Sequence, residues 1–223
     1  MGKGVATTDQ AADMRARLVE AAIELLDAEG PAAVQARRLA REIGASTMAV
    51  YHYFGGMPAL LRAVCDEGFR RLEAHLAAVA ITEDPITDIV RLGAAYRRAA
   101  RENPHLYDMM FGLAAPGGHR PEPAPHDDGG GRPGPGDAAY GHLVAAAHRA
   151  VQAGSIRPAE PALIAAQLWS MLHGFVALEL AGHFRQLPEA ADQVLAPLGT
   201  NLLIGLGGEP DHVLATAAQA PIE

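Results

Sequence analysis

Cysteine is almost absent from this 223-residue chain, and aromatic residues are scarce. Cys65 is the only cysteine, and Phe, Trp and Tyr together make up 5% of the sequence. A single thiol excludes an intramolecular disulfide framework and fits a reducing compartment. The N-terminal segment MGKGVATTDQAAD holds no apolar run of the kind that a secretory signal needs, so we expect the protein in the cytoplasm.

The composition gives little support to strands. Hydrophobic residues account for 49% of the chain, but most of them are Ala and Leu, and β-branched runs are few. Such residues favour helices, and a chain of 223 residues is long enough for one or two domains with a core. The sequence therefore predicts an all-α fold.

Positive charge is in short supply overall but is concentrated in one segment. The chain carries 18 Lys and Arg against 26 Asp and Glu, which gives a net charge of −8. Within residues 34–57 the balance reverses, because three arginines stand against one glutamate. A small basic region on an acidic protein suits a reader of specific DNA sequences. It argues against nonspecific coating of nucleic acid, which needs a broad positive surface.

Residues 35–54 have the pattern of two short helices joined by a tight turn. Apolar residues at helical spacing give the first helix one buried face. Gly44 follows where glycine most easily ends a helix, and Ser46 or Thr47 can cap the second helix. This is the geometry of a helix-turn-helix, whose second helix enters the major groove of DNA.

The stretch GASTMAVYHYF at residues 44–54, with Pro-Ala-Leu-Leu at 58–61, resembles the TetR/AcrR family of bacterial transcription regulators. The resemblance is detailed over residues 12–72 and continues beyond them only as a helical layout. It implies an N-terminal three-helix DNA-binding domain followed by a helical bundle for ligand binding and dimerisation. The implied domains span residues 12–58, with the helix-turn-helix motif at 35–54, and residues 59–208.

The resemblance also implies seven DNA-contacting residues. Thr47 and Met48 would approach base edges, while the others would bind phosphates or the flanking backbone. The full set is Gln35, Arg37, Ser46, Thr47, Met48, Tyr51 and His52. One position departs from the family: the Lys that usually begins the next helix and meets a phosphate is Met57 here, which puts that contact in question.

Helical periodicity continues on both sides of this motif. An amphipathic helix is predicted from Met14 to a stop at Gly30-Pro31, with residues 1–10 disordered. A long helix from Pro58 keeps one apolar stripe to Val79. In the resembling family, such a helix transmits the ligand state to the DNA-binding domain. A further helix after Pro85 is predicted to leave its arginines on the surface: Arg91, Arg97, Arg98 and Arg101.

Two segments are predicted to lie outside the packed core. Residues 116–137 contain 13 Pro or Gly among 22 residues, which indicates a flexible loop. The histidines and aspartates in this loop match no metal-ligand spacing, so we expect no metal site and no cofactor. The tail beyond Gly208 is also expected to be poorly ordered.

The C-terminal half contains a long uncharged run between Glu160 and Glu179. Its length raises the possibility of a membrane span, but its Pro, Gln, Ser and His argue against one. An apolar helix is otherwise buried on every side. The spacing Trp-x-x-x-His-Gly from Trp169 resembles a signature of one TetR subgroup, in which this helix lines the effector pocket and pairs with the dimer mate. The resemblance thus implies a homodimer through residues 160–206.

Pocket residues are implied by the same resemblance. For the short Met- and aromatic-rich segment at 105–111, spacing alone favours core packing over ligand lining. The predicted pocket set is Tyr96, Tyr107, Met110, Phe111, Trp169 and His173.

These expectations combine into one leading function. The resemblance implies a repressor that leaves a palindromic operator when a small, mostly apolar effector binds. Specific affinity would come from a dimer on two half-sites. The alternative is a helical protein-interaction module with degenerate DNA binding. It would account for Met57 in place of the usual lysine and for the negative charge of the rest of the chain. An enzyme is not expected, because no nucleophile arrangement, phosphate loop or metal cluster is recognisable.

Overall fold

The computed structural model describes residues 3–114 and 134–219, and all regular structure within them is helical. The predicted all-α fold is confirmed. The helices are α1 (Lys3–Glu29), α2 (Ala36–Glu42), α3 (Met48–Phe54), α4 (Met57–Ala77), α5 (Pro85–Glu102), α6 (Pro104–Met110), α7 (Pro135–Gln152), α8 (Pro161–Leu180), α9 (Ala196–Gly205) and α10 (Pro210–Gln219). A 3-10 turn at Pro31–Ala33 follows α1, and a π-helical turn at Ala191–Leu195 precedes α9.

The described chain divides into two compact units. The first holds residues up to Arg70 and from Asn103 to Gly134, and the second holds Arg71–Glu102 and the residues from Pro135 onward. This division differs from the boundary between 12–58 and 59–208, which stays a prediction.

The first unit is built around the apolar stripe of α1. Leu18 of α1, Leu39 of α2, Val50 of α3 and Leu60 of α4 are all fully buried in one cluster. Each belongs to a different helix, so α2 and α3 are held by packing against α1 and α4 rather than by their own length. Helices of two turns are marginal alone and need such tertiary support.

Gly68 allows α6 to approach α4 closely. A Cβ atom at this position would lie 2.6 Å from the sulfur of Met110 and 3.1 Å from Cδ1 of Leu106. The predicted stripe of α4 passes through this residue and is buried from Leu61 to Leu76. The glycine therefore belongs to the packing of the first unit.

The second unit contains a buried polar network beside the start of α5. The Asp88 carboxylate accepts hydrogen bonds from the Thr82 hydroxyl at 2.7 Å and from the Arg149 guanidinium at 2.6 Å. Arg149 also donates to the carbonyl of Thr82 at 2.6 Å. Burial opposes ionisation of Asp88, but these hydrogen bonds hold its pKa below the ordinary value. The network joins α5, α7 and the segment before α5.

The first helix begins earlier than predicted. It starts at Lys3 rather than at Met14, so the expected disorder of residues 1–10 is wrong for residues 3–10. The stretch from Val5 to Glu29 contains neither proline nor glycine, and nothing in it stops a helix from extending.

The tail beyond Gly208 is also helical where disorder was predicted. The Glu209 carboxylate accepts hydrogen bonds from the backbone N–H groups of Asp211 at 3.0 Å and His212 at 2.6 Å. These bonds satisfy amide groups that a helix start leaves open, and they lower the pKa of Glu209. Val213 and Thr216 of α10 are buried. The cap at Glu209 and the buried Val213 explain why this short segment is helical.

The predicted loop at 116–137 ends sooner than expected. Its last residues form the first turn of α7, which begins at Pro135 and carries Asp137 in that turn. Proline suits the first helical position, and an acidic residue is favourable near the positive end of the helix. The earlier part of the loop, including its histidines and aspartates, lies outside the described residues.

Candidate functional site

The helix-turn-helix forms as the sequence predicts. Gly44 follows α2 with φ of +66°, a left-handed conformation that favours glycine. The N–H of Ala45 donates to the carbonyl of Ala40 at 2.8 Å and closes the end of α2. Thr47 occupies the N-cap position of α3, but its side chain makes no capping hydrogen bond. Gly55, with φ of +73°, ends α3.

The second helix of the motif separates its packing residues from its surface residues. Ala49, Val50 and Phe54 are buried in the first unit. On the other side, Met48 is 67% exposed and Tyr51 is 52% exposed. With two thirds of its surface in solvent, the Met48 side chain contributes little to the packing of the first unit.

All seven predicted DNA-contacting residues lie on the surface of the first unit. They are Gln35, Arg37, Ser46, Thr47, Met48, Tyr51 and His52, and each is exposed. Gln35 is the N-cap residue of α2, and its side-chain amide donates to the carbonyl of Ala32 at 3.0 Å. The His52 ring packs edge-on against the Tyr53 ring at 4.7 Å. The seven side chains come from the N-cap of α2, from α2 and α3, and from the turn between these helices.

Charges on α2 fall into two groups. Arg38 binds two carboxylates, Glu29 at 2.6 Å and Glu42 at 2.8 Å. Arg37 and Arg41 are exposed. Glu42, the acidic residue of the basic segment, therefore pairs with Arg38. The exposed positive charge of α2 is carried by Arg37 and Arg41.

Met57 has a packing role at the position where the resembling family carries lysine. It is the first residue of α4 and is half-buried against the core cluster of the first unit. The side chain that replaces the expected cation thus packs against the apolar core.

Two arginines of α1 were missed by sequence reasoning. Arg17 donates to the carbonyl of Ile43 at 3.1 Å, and Arg15 donates to the carbonyl of Tyr53. The Arg15 guanidinium also lies over the Phe54 ring, with its central carbon 4.1 Å from the ring centroid. The only signal in the sequence was two cations beside the apolar stripe of α1, which is an ordinary surface pattern.

In the second unit, three of the predicted pocket residues come together. The Tyr96 hydroxyl lies 3.1 Å from Nδ1 of His173. The Trp169 and His173 rings are 5.4 Å apart, and the Tyr140 ring packs edge-on against Trp169 at 5.9 Å. Burial lowers the pKa of His173, so its imidazole is neutral at neutral pH. The result is an uncharged, largely aromatic cluster on α5, α7 and α8.

The other three predicted pocket residues lie in the first unit. Tyr107, Met110 and Phe111 belong to α6 or directly follow it. The Phe111 ring packs edge-on against Phe69 at 5.5 Å and lies 4.8 Å from the Tyr107 ring. Their role in a pocket stays a prediction.

Arg97 is buried, which corrects the prediction that it lies on the surface. Its guanidinium makes two hydrogen bonds to the Glu179 carboxylate, from Nε at 2.9 Å and from a terminal nitrogen at 2.6 Å. The exposed fractions of the two side chains are 6% and 17%. Arg97 directly follows the buried Tyr96 in α5. The carboxylate that neutralises Arg97 belongs to α8 and is seen only in the structure.

One side of α8 is uncovered among the described residues and carries exposed leucines. Leu163 and Leu178 of α8 and Leu198 of α9 are 64%, 46% and 44% exposed. A Cβ atom added at Gly174 or Gly199 would meet no atom within 4 Å. The expectation that α8 is buried on every side is therefore wrong for the single chain.

The opposite side of α8 explains its length and apolar composition. Among residues 3–114 and 134–219, α8 is the one helix that could cross a membrane by length and composition. Six of its residues pack inside the second unit: Ile164, Ala165, Leu168, Leu172, Phe175 and Val176. This is the pattern of a core helix with one face left open.

Two family models match the chain. The model described as bacterial regulatory proteins of the tetR family matches residues 18–64. The model described as tetracyclin repressor-like, C-terminal domain, matches residues 89–200. The first match contains the helix-turn-helix, and the second contains the cluster around His173.

Similar proteins include both a named repressor and solved structures. A transcriptional repressor of Streptomyces coeruleorubidus, DrrR1, is 44% identical over 50 residues, which are 22% of this chain and 18% of that protein. A Rhodococcus sp. RHA1 protein of unknown function is 27% identical with a TM-score of 0.70, over 86% of this chain and 95% of that chain. PfmR, a TetR family transcriptional regulator of Thermus thermophilus, is 25% identical with a TM-score of 0.54, over 72% of this chain and 85% of that chain. From the family matches, and with its helix-turn-helix in place, this chain belongs to the TetR family of bacterial transcriptional regulators.

Proposed function

We propose that this TetR family protein is a homodimeric repressor that leaves a palindromic operator when a small, mostly apolar effector binds. The observation that carries the proposal is the division of α3 into a buried side and an exposed side. The exposed side holds the residues whose counterparts read DNA in the family. A helix placed in the major groove by a rigid core is the geometry that direct readout requires.

The seven exposed residues divide by chemistry into base readers and phosphate binders. Thr47 can hydrogen-bond to a base edge, and the thioether of Met48 can contact a thymine methyl group. Hydroxyl, imidazole, guanidinium and amide groups donate to phosphate oxygens and fix the register without reading sequence. These phosphate and backbone contacts are assigned to Gln35, Arg37, Ser46, Tyr51 and His52.

Selection of binding sites from a random DNA pool tests this assignment. The wild-type protein should enrich a two-fold symmetric sequence, and its affinity should fall as salt rises, because phosphate contacts release counterions. Tyr51→Phe removes one proposed phosphate contact and should weaken binding. Tyr53→Phe, two residues away on the half-buried side, is the matched control and should bind like wild type. Enrichment of no sequence would support the protein-interaction module instead.

The uncovered side of α8 and α9 supports a homodimer through residues 160–206. Exposed leucines flank outward glycines there, so a second copy could approach the backbone closely. Leu178→Glu would place a charge in this apolar surface and should give monomers in analytical ultracentrifugation at micromolar concentration. Leu214 of α10 is 54% exposed but lies outside 160–206, so Leu214→Glu is the matched control. A dimer that tolerates Leu178→Glu would place the interface elsewhere.

The effector class follows from the cluster around His173. Tyr96, Trp169 and His173 offer aromatic surface with a neutral imidazole, which suits an uncharged ligand better than an ionic one. The buried Arg97 is already neutralised by Glu179 and offers no net charge. The family resemblance also implies pocket roles for Tyr107, Met110 and Phe111 of the first unit, and these roles stay predictions.

The single tryptophan makes the effector proposal measurable. Trp169 is the only Trp in the chain, so its fluorescence reports directly on this cluster. Neutral aromatic compounds should change the fluorescence and release the selected DNA in the same concentration range. His173→Leu should weaken both effects. Compounds that release DNA equally well from wild type and from His173→Leu would place the effector site elsewhere.

A further inference from the structure

Two arginines of α1 lie shortly before its fully buried residues and leave the helix in different directions. Arg15 and Arg17 are two residues apart, which places them about 200° apart around a helix. Leu18 and Ala22, both fully buried, mark the side of α1 that faces the core. The two guanidinium groups therefore reach different neighbours of α1.

Each arginine meets the C-terminal end of one helix of the motif. Arg17 donates to the carbonyl of Ile43, the C-cap residue of α2, at 3.1 Å. Arg15 donates to the carbonyl of Tyr53 in the last turn of α3 and stacks on the buried Phe54 ring. One helix thus holds the ends of both of the others.

The chemistry of a helix end explains why arginine fits these two places. The last four carbonyls of a helix have no amide partner within it, and the negative end of the helix dipole attracts a cation. A guanidinium supplies several donors in a fixed plane and also stacks on an aromatic face. Arg15 uses both properties, because it binds the end of α3 and a core residue of α3 at once.

A helix as short as α3 depends on such contacts for its orientation. It spans two turns, Met48–Phe54, and has three buried residues of its own to hold it. Thr47 and Met48 stand at the opposite end of the helix from Tyr53. A small tilt at the clamped end would therefore displace the residues that face DNA.

We propose that Arg15 and Arg17 are positioning residues that clamp the C-terminal ends of α3 and α2 to α1 and so set the angle at which Thr47 and Met48 meet the bases. They act through α2 and α3 rather than by touching DNA. This inference rests on the proposed DNA contacts of α3. Arginines near a DNA-binding surface can instead bind phosphates, and the two roles differ in their salt dependence.

The first arm of the test measures binding of the full-length protein to DNA selected by the wild type. Arg15→Met keeps the length of the side chain but removes its charge and donors. It should weaken binding to the selected sequence by about tenfold, as expected for a charge-assisted hydrogen bond. Affinity for random DNA and the slope of log K against log[salt] should stay at the wild-type values. Arg17→Met should act in the same direction.

Three further variants separate positioning from charge. Arg37→Met, at a proposed phosphate contact, should reduce the salt slope by about one. Arg91→Met, on the exposed side of α5, should change nothing. Arg15→Lys keeps the positive charge and a hydrogen-bond donor but loses the planar guanidinium. It should therefore bind the selected sequence more tightly than Arg15→Met and less tightly than wild type. A salt slope reduced by about one in Arg15→Met would overturn the inference, because Arg15 would then be a phosphate contact.

The second arm needs no DNA. Amide hydrogen exchange in a peptide covering residues 48–56 should be faster in Arg15→Met than in wild type, while exchange in α8 stays the same. Unchanged exchange in that peptide would overturn the clamp. If the wild type selected no DNA sequence, the proposed repressor function would be refuted. The exchange measurement would still decide whether Arg15 clamps α3, because it needs no DNA.

Discussion

The buried Arg97–Glu179 pair offers the sharpest test of how the second unit is held together. Glu179→Ala would leave the guanidinium of Arg97, 6% exposed, without the carboxylate that accepts two of its hydrogen bonds. Breaking a buried pair by removing one partner costs about 3–5 kcal/mol. We expect a loss near the lower limit, about 3 kcal/mol, because Glu179 keeps 17% of its side chain in solvent.

The loss should be measured by urea unfolding followed through tryptophan fluorescence. Trp169 lies on α8, the helix that also carries Glu179, so the signal reports on the second unit. In a thermal scan, about 3 kcal/mol corresponds to roughly 6–12 °C for a protein of this size. Protein concentration must be held constant, because a dimer links stability to concentration.

Two comparisons show whether the reasoning is right. The double variant Arg97→Met with Glu179→Leu removes both charges and should recover most of the lost stability, because a paired charge and an apolar pair are often equivalent. Arg98→Met removes an exposed cation next door and should cost less than about 0.5 kcal/mol. A Glu179→Ala variant within about 1 kcal/mol of wild type would refute the buried pair as a determinant of stability.

Three other predictions concern single sites. Asp88→Asn should reduce the loss of stability that acid causes, measured as the urea midpoint at a series of pH values. The lowered pKa of Asp88 contributes stability that is complete above the ordinary value of 3.8 and is lost as pH falls below it. Gly141→Ala should stabilise α7 by about 1 kcal/mol in thermal unfolding, while Gly68→Ala should lose that gain because its Cβ would lie 2.6 Å from Met110. Burial raises the pKa of Cys65 to about 12, so a thiol reagent at pH 8 should label unfolded protein but spare the native form.

The helix-turn-helix could be predicted from sequence because its signals are local. Glycine at position 44 ends one helix, apolar spacing selects the buried side of the next, and no distant residue is needed for either inference. The stripe of α4 was predictable for the same reason. Exposure of Thr47, Met48 and Tyr51 followed once Val50 and Phe54 were assigned to the core.

The errors arose where a distant residue decides the outcome. Arg97 was expected on the surface because most arginines are exposed. The carboxylate that pairs with its buried charge lies on α8, far away in the sequence. The carbonyl groups that Arg15 and Arg17 bind belong to other helices and leave no mark in the local pattern. The missed helix α10 differs, since Glu209 is adjacent to it and its capping role could have been seen in the sequence.

The two-sided character of α3 has a consequence for how this protein can diverge. The side chains that hold the helix in place, Ala49, Val50 and Phe54, are separate from those that face outward. Exchanging the outward residues therefore changes the chemistry presented to a partner at little cost to folding. Duplicated copies of such a gene can acquire new targets through a handful of codons while the scaffold is inherited unchanged. A library randomised at Thr47, Met48, Tyr51 and His52 should accordingly consist mostly of folded proteins.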